Sequence, residues 1–418
     1  MQKVYLCIDL KCFFASVECV ERNLDPFKHN LVVADNTRGN GALCLAISPK
    51  MKAEGIKNRC RIFEIPKGTE YIVAKPRMTK YMEYSAWIYS IYLKYVSKDD
   101  IHVYSIDECF LDITSYMKLY KKSAKEFAKM LLEAVYKETG ITATCGIGTN
   151  LYLAKIALDI LSKHRADNMG LLTEQSFQKL LWHHQPLIDF WHIGRGIENH
   201  LNKLGINNLY DLAHYNQDIL YKEFGINAEY MIDHAWGREP TTIADIKRYK
   251  PSTNSISNSQ ILFEDYSYED AFLVLKEMVE LNVLKLVENH LVTDCISLYV
   301  GYSKNIIKGT GVSRKITTRT SSLHILMREF IELYKDKVNQ FTPIRQIAIS
   351  FGNVLDEYYE SYDLFSDIEE LEKEKRLQET IVSIKNKYGK NAILKGMNKL
   401  DKATTEKRNL LVGGHNAQ

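Results

Sequence analysis

The stretch YSIDECFLDIT (residues 104–114) sets Asp107 and Glu108 side by side in an otherwise apolar, strand-like run. A second apolar run, VYLCI (4–8), leads into Asp9 and reads as a central strand buried on both faces. If the two strands are neighbours in one sheet, three carboxylates gather at one strand end, where they repel and resist desolvation. Hard divalent cations bound through oxygen relieve that cost, and Mg²⁺ prefers a few carboxylates together with substrate phosphates. Two such ions supply what phosphoryl transfer needs, one at the attacking oxygen and one at the leaving phosphate. Spacing alone leaves another reading open: Asp107 and Glu108 as turn residues of a hairpin, ion-paired to lysines on the surface.

The elements that must hold these residues follow from periodicity. After Asp9 comes CFFASVECVERN, which looks helical. Residues 28–77 mix short strands, glycines and basic residues, as a small loop-rich subdomain does. Residues 81–96 and 123–140 are amphipathic helices, the second with Phe127, Leu131 and Ala134 on one face and Gly140 at its C-cap. TATCGIG (142–148) is a strand, and LYLAKIALDIL (151–161) a further helix. The alternation over 1–165 predicts an α+β layer, a mixed or antiparallel sheet with helices on one face. Short helices with glycine turns fill 171–238, and polar, basic residues 247–258 read as a linker. A second α+β unit follows, with strands at 295–302 and 344–352 and helices near 268–288 and 321–336. Beyond 356 the chain is charged, with a surface helix before a mobile tail.

At 418 residues the chain is too long for one core, so two to four domains are expected. It is 45% hydrophobic and 26% charged, with a net charge of only +3, so any anionic partner must be met by local patches. The eight cysteines show no zinc-ligand spacing and suit reduced thiols in a cytosol. The chain carries neither a signal-peptide pattern nor a run of about 18 apolar residues, so a cytoplasmic protein with no membrane partner is expected.

One local patch stands out. No acidic residue lies between Asp294 and Glu329, while Lys304, Lys308, Arg314, Lys315, Arg319 and Arg328 all do, flanking GTG (309–311). A basic strand–turn–strand can track a phosphate backbone without reading bases; it can equally be an edge strand protected by charge. In HIGRG (192–196), glycines ahead of a helix allow backbone N–H groups to approach phosphates, or simply make a helix–helix turn.

Two signatures carry a family resemblance. IDLKCFFASVE (8–18) and YSIDECFLDIT, about a hundred residues apart, resemble the catalytic motifs of Y-family translesion DNA polymerases. LAKIALDILSK (153–163) is similar to the family's third palm element, WHIGRGIENHLNKLGI (191–206) to its thumb hairpin, and RNLLVGGH (408–415) to the bacterial error-prone branch. The resemblance implies a right-hand polymerase: palm over 1–27 and 78–168, fingers over 28–77, and a helix-hairpin-helix thumb over 169–240. A linker over 241–258, an α+β little finger over 259–355 and a charged C-terminal tail over 356–418 complete it. It implies Asp9, Asp107, Glu108 and the Leu10 carbonyl as ligands of two Mg²⁺ ions, and Phe14 as a steric gate against ribose. Phe13, Lys52 and Lys163 would meet the nucleotide, and Gly194, Lys304, Lys308, Arg314, Lys315 and Arg319 the primer–template DNA. SYDLFSD (361–367) resembles a degenerate sliding-clamp motif anchored by Leu364 and Phe365.

The sequence also departs from the pattern. Lys11 stands where many relatives have a second acid, two residues after Asp9. Pro49 and Lys52 stand where many have the Tyr and Arg that grip the triphosphate, and a lysine offers only a point charge. Lys163 lies one residue further from LAKIA than the usual lysine. His192 replaces one thumb glycine. Small fingers and no added exonuclease segment imply low-fidelity, template-directed synthesis from deoxynucleoside triphosphates. A catalytically silent scaffold that binds DNA and clamp is the alternative; a nucleotide cyclase would not need the thumb or the basic unit.

Overall fold

The computed structural model describes residues 3–251, 254–303, 306–364 and 366–418, so Lys304 and Phe365 lie outside the described residues. The chain divides into two compact units, one running to Tyr249 and including His415–Gln418, the other Lys250–Gly414. Among the described residues no helix is long and apolar enough to cross a membrane.

The first unit is built on β1 (Tyr5–Leu10), whose YLCIDL sequence is buried on both faces because it is the central strand. Next in the chain come α1 (Phe13–Val20), β2 (Leu31–Val33), β3 (Ala46–Ile47), α2 (Pro49–Ala53) and β4 (Ile72–Ala74). Strands β2, β3 and β4 form a separate small sheet around Val32, Ile47 and Met51. Helix α3 (Met78–Leu93) leads to the hairpin β5 (Ile101–Val103) and β6 (Glu108–Asp112). Two helices follow, α4 (Tyr116–Tyr120) and α5 (Ala124–Thr139). A capping box of Ser123 and Glu126 starts α5, and Gly140 ends it at φ +70°, where a side chain would be strained. Its buried face is Phe127, Leu131 and Val135; Ala134 lies at the edge of it.

Strand β7 (Ala143–Gly148), helix α6 (Leu151–Ile156) and strand β8 (Met169–Leu172) complete the main sheet, in the order β5-β6-β1-β7-β8. Residues 169–172, expected to open the helical region, are its fifth strand, parallel to β7. Gly146 and Gly148 are required by packing: a Cβ would stand 2.0 Å from the Ala154 carbonyl oxygen and 2.2 Å from the Ala154 nitrogen, respectively. The chain after Asn150 therefore lies directly on the sheet backbone.

The helical part comprises α7 (Glu174–Leu181), α8 (Arg195–Lys203), α9 (Leu209–His214), α10 (Gln217–Phe224) and α11 (Asn227–Ala235). They share a core of Phe177, Leu187, Phe190, Leu201 and Met231 with Tyr152 and Leu153 of α6. Within the expected linker, α12 (Ile243–Arg248) is helical, and Ile243 packs against Tyr5 and Phe110.

The second unit pairs an antiparallel sheet, β9 (Ile256–Tyr266), β10 (Leu291–Tyr302), β11 (Thr310–Thr320) and β12 (Ile344–Gly352), with α13 (Tyr268–Glu288) and α14 (Leu323–Lys337). The order is β11-β10-β12-β9, with Val274, Met278, Phe330, Ile347 and Phe351 in the core between sheet and helices. The C-terminal region corrects an expectation, because it is no free tail. Helix α15 (Ile368–Tyr388) packs on α13, and the carboxylate of Glu277, 1% exposed, accepts from Asn398 Nδ2 (2.9 Å), Thr404 N–H (2.7 Å) and Thr404 Oγ1 (3.1 Å). A buried carboxylate satisfied by hydroxyl and amide donors anchors this segment with little apolar patterning, so the sequence reads as tail.

Candidate active site and nucleic-acid interface

Strands β1 and β6 are antiparallel neighbours, and their register sets Asp9 opposite Glu108. Asp107 is not in the strand; it lies in the hairpin turn, where its Oδ1 accepts from Ser105 Oγ at 2.7 Å and its carbonyl from the Leu10 N–H at 3.0 Å. The turn itself brings Asp107 to Asp9, whereas Glu108 already belongs to the strand. Burial, and then the charge of Asp107, push the Asp9 carboxyl up to about 7, while Lys163 pulls the other way.

Glu108 faces elsewhere. Lys155 Nζ stands 2.8 Å from its Oε1 and 2.9 Å from its Oε2, and the Cys7 thiol donates to Oε1 at 3.0 Å. Lys155 reaches Asp159 as well, at 3.0 Å; burial works against its charge, but Asp159 and Glu108 hold it well above the usual lysine range. Among the described residues no three carboxylate, imidazole or thiol side chains form a ready metal cluster, because Glu108 turns to Lys155. The donor types still fit hard divalent cations: two mutually repelling carboxylates, Asp9 and Asp107, with a third, Glu108, opposite Asp9 in the register.

Helix α6 runs into a π turn, Ala157–Leu161, which takes one residue more per hydrogen-bonded turn than an α-helix. Lys163 follows that turn by two residues. Lys163 Nζ lies 3.1 Å from Asp159 Oδ1, and its charge reaches Asp9.

Cys12, at φ +48°, turns the chain from β1 into α1, whose first turn has neither a side-chain cap nor an acidic residue. Phe13 is buried. Phe14 is half-buried, its ring stacked on Tyr81 at 4.6 Å between centroids. Tyr81 is fixed in turn: its hydroxyl donates to Glu18 Oε1 at 2.8 Å, and Arg77 grips the same carboxylate at 2.9 and 3.0 Å. Pro49 occupies N1 of α2, a position where its missing N–H costs nothing, with Ser48 as N-cap. Lys52 is exposed on that helix, whereas Lys50 pairs with Glu54 at 3.1 Å.

Gly194 is the N-cap of α8, and a Cβ at Gly194 or Gly196 would meet nothing within 4 Å. Neither glycine is required by φ or packing, so what they leave is an open surface. His192 keeps a left-handed backbone at φ +71°, a conformation that costs a non-glycine residue about 1 kcal/mol. Its ring is held against Trp191 at 4.2 Å and His234 at 5.7 Å.

In the second unit the basic residues part company. Arg314 pairs with Glu332 at 3.3 Å and Glu329 at 3.5 Å, and Arg319 with Asp294 at 2.5 Å. These two expected DNA contacts are already engaged by carboxylates that are distant in sequence. Lys308 and Lys315 are exposed, and neither takes part in an ion pair among the described residues. The helix-free face also carries a row that sequence reasoning missed. The registers align Ser313, Ser297, Ser350 and Ser257 across all four strands, and the Ser297 and Ser313 hydroxyls are 2.8 Å apart. Each strand contributes one serine to the row, which leaves no local pattern in the sequence. Leu364 is 98% exposed, and nearby Ser361 is pinned to β11 by its N–H on the Arg319 carbonyl at 2.9 Å and by the Arg319 N–H on its hydroxyl at 2.8 Å.

Comparison with known proteins agrees with this organisation. A model of the impB/mucB/samB family matches residues 8–159, and one of that family's C-terminal domain matches residues 253–364. A Bacillus subtilis (strain 168) protein named UvrX is 32% identical over 417 residues, spanning 99% of this chain and 98% of the relative. DNA polymerase IV 2 of Halalkalibacterium halodurans is 28% identical over 423 residues, spanning 99% of this chain and all of that protein (100%). Among solved structures, a Y-family DNA polymerase chimera of Dbh and Dpo4 superposes with a TM-score of 0.63 at 20% identity, covering 84% of this chain and 99% of the chimera, a likeness of fold.

Proposed function

The chain belongs to the impB/mucB/samB family and so to the Y-family DNA polymerases, and from that premise we propose that it extends a primer on a DNA template across damaged bases, with low fidelity. The observation that carries the proposal is the meeting of Asp9 and Asp107 at one end of the main sheet, half-buried and mutually repelling, with the Leu10 N–H on the Asp107 carbonyl and Glu108 opposite Asp9. These groups would hold two Mg²⁺ ions, whose chemistry is to lower the pKa of a hydroxyl and neutralise charge on the reacting phosphates. The reaction is attack by a primer 3′-hydroxyl on the α-phosphate of a deoxynucleotide, with release of pyrophosphate. Phe14, backed by Tyr81, walls the sugar position and collides with a 2′-hydroxyl. The uncapped N–H groups at the start of α1, that of Phe13 among them, would meet the nucleotide's phosphates together with Lys52 and Lys163.

Gly194 and the strand β11, with Lys308 and Lys315, serve as phosphate-backbone contacts on the DNA, with the serine row as added donors. In right-hand terms, the main sheet is the palm, the small sheet the fingers, α7–α11 the thumb and the β9–β12 sheet the little finger. Leu364, with Phe365 next to it, is the anchor offered to a sliding clamp. The test is extension of a labelled primer with Mg²⁺ and all four deoxynucleotides, on intact templates and on templates carrying an abasic site. Extension past the lesion is expected, and arrest on both templates contradicts the proposal. The Lys155 grip on Glu108 favours one rival, a silent DNA-binding scaffold, for which the same assay shows binding without extension.

A further inference from the structure

Trp191 stands where the helical part meets the main sheet. Its ring packs against the helical core that contains Phe177 and Phe190, and also against the cluster of Tyr5, Cys7 and Phe110. It stacks on Phe110 at 5.9 Å between centroids, and its indole N–H donates to the Tyr104 hydroxyl at 3.1 Å. The Tyr104 ring meets Trp191 edge-on at 5.8 Å and Phe110 edge-on at 5.7 Å. One aromatic unit thus joins the β5–β6 hairpin to the loop ahead of α8.

Each end of that unit leads to a functional segment. Tyr104 opens the turn before β6: its N–H and that of Ser105 both donate to the Glu108 carbonyl, at 2.9 and 3.1 Å, and Asp107 follows three residues on. The Lys155 ammonium, which holds Glu108, also lies 5.9 Å from the centre of the Tyr104 ring, within cation–π reach. At the other end, Trp191 is three residues from Gly194, the N-cap of α8, whose open surface suits a phosphate. Tyr104 is 44% exposed, so its hydrogen bond with Trp191 competes with water and contributes little to folding. What the bond supplies is direction, since together with two edge-on ring contacts it fixes how the turn sits against the loop.

We infer that Tyr104 and Trp191 are positioning residues, through which DNA seated on the Gly194 loop sets the turn that carries Asp107. The inference rests on the polymerase reading, in which Asp107 is a metal ligand and the loop a DNA contact. Each side chain acts through the residue three positions further on. Primer–template binding and metal binding are therefore coupled, and the Trp191–Tyr104 bond carries the coupling.

The test compares wild type, Tyr104→Phe, Trp191→Phe and the double variant. Tyr104→Phe removes only the hydroxyl; Trp191→Phe also loses ring area, so all assays are run well below its thermal midpoint. The readouts are single-nucleotide insertion, DNA affinity without metal, and the affinity for Mn²⁺, which shares the oxygen ligands of Mg²⁺, with and without primer–template. Tyr104→Phe is expected to lower kcat, and to weaken Mn²⁺ binding to the DNA complex, by about threefold to tenfold, the worth of one hydrogen bond. Its thermal midpoint, its DNA affinity and its Mn²⁺ affinity without DNA should stay at wild-type values. Added to Trp191→Phe, the same substitution should change nothing further, because the bond is already gone. An unchanged kcat and Mn²⁺ affinity in Tyr104→Phe overturns the inference, as does an equal further loss in the Trp191→Phe background. A lowered thermal midpoint in Tyr104→Phe with kcat intact assigns the bond to folding and overturns it too. If wild type inserts nothing and DNA does not tighten its Mn²⁺ binding, the polymerase reading falls and the inference falls with it. If wild type inserts nothing but DNA does tighten Mn²⁺ binding, the Mn²⁺ comparison decides, equal tightening in Tyr104→Phe overturning the inference.

Discussion

Lys155 and Glu108 form an ion pair of 2.8 Å beneath the candidate site, with each side chain only 10% exposed. Removing one member of such a pair strands the other charge in the interior, which costs more than the pair itself contributes. Lys155→Ala is therefore expected to lower the unfolding free energy by about 3 kcal/mol or more. Lys155→Met combined with Glu108→Gln should recover much of that loss. Denaturant unfolding of the three proteins decides it; a loss of under about 1 kcal/mol for Lys155→Ala shows that water, not the partner, satisfies Glu108.

The stack of Phe14 on Tyr81 makes the sugar wall a two-residue device. Phe14→Ala should raise ribonucleotide incorporation relative to deoxynucleotide by about tenfold or more, as expected when a pocket loses a steric contact. Tyr81→Ala should give a smaller shift in the same direction, because the gate ring loses its backing. The readout is the ratio of kcat/KM values for the two sugars, and an unchanged ratio in Phe14→Ala removes it from the role.

Four basic residues in and beside β11 divide into two behaviours, according to whether a carboxylate engages them. Lys308→Ala and Lys315→Ala should each weaken DNA binding across all sequences and reduce the salt slope by about one. Arg314→Ala and Arg319→Ala should chiefly lower stability, since each leaves buried or half-buried carboxylates behind. Titrations of primer–template DNA at several salt concentrations separate them. Equal salt slopes in all four variants contradict the division.

Glu239 carries a pH signature for the helical part. Burial pushes its carboxyl up, but hydrogen bonds from His234 (2.9 Å) and the Thr241 N–H (2.7 Å) outweigh that and bring it down to about 2 from the ordinary 4.5. A carboxyl depressed in the folded state stabilises above its unfolded pKa and ceases to do so as pH falls through its folded one. Glu239→Gln should therefore be less stable than wild type near neutral pH. The gap should narrow as pH drops from about 4.5 toward about 2. A gap independent of pH over that window shows that shape, not charge, is what Glu239 contributes.

Much of this was legible in the residues because apolar periodicity reports buried surface directly. The run before Asp9, the α5 pattern with its Gly140 cap, and the strands at 295–302 and 344–352 all announce themselves that way. What stayed hidden depends on partners far away in sequence. Nothing local shows that Glu108 meets Lys155, that Arg319 meets Asp294, or that Glu277 collects Asn398 and Thr404. The serine row exists only once four strands are in register. The π turn at Ala157–Leu161 left no mark either, because the helical pattern over 151–161 does not distinguish it from an α turn.

Leu364 and Phe365 are better tested by point substitution than by truncation, since residues beyond them belong to the second unit's fold. The carboxylate site asks for the same restraint. Asp107 lies in a turn and bonds its neighbour Ser105, so Asp107→Asn should fold normally while withdrawing one charge from beside Asp9. Wild type and Asp107→Asn should be compared on one labelled primer–template, with Mg²⁺ extension and DNA affinity measured on the same preparations. Loss of extension with affinity retained is the expected result. Extension by Asp107→Asn at the wild-type rate, or no extension by either protein while both bind DNA, contradicts the assignment of this site.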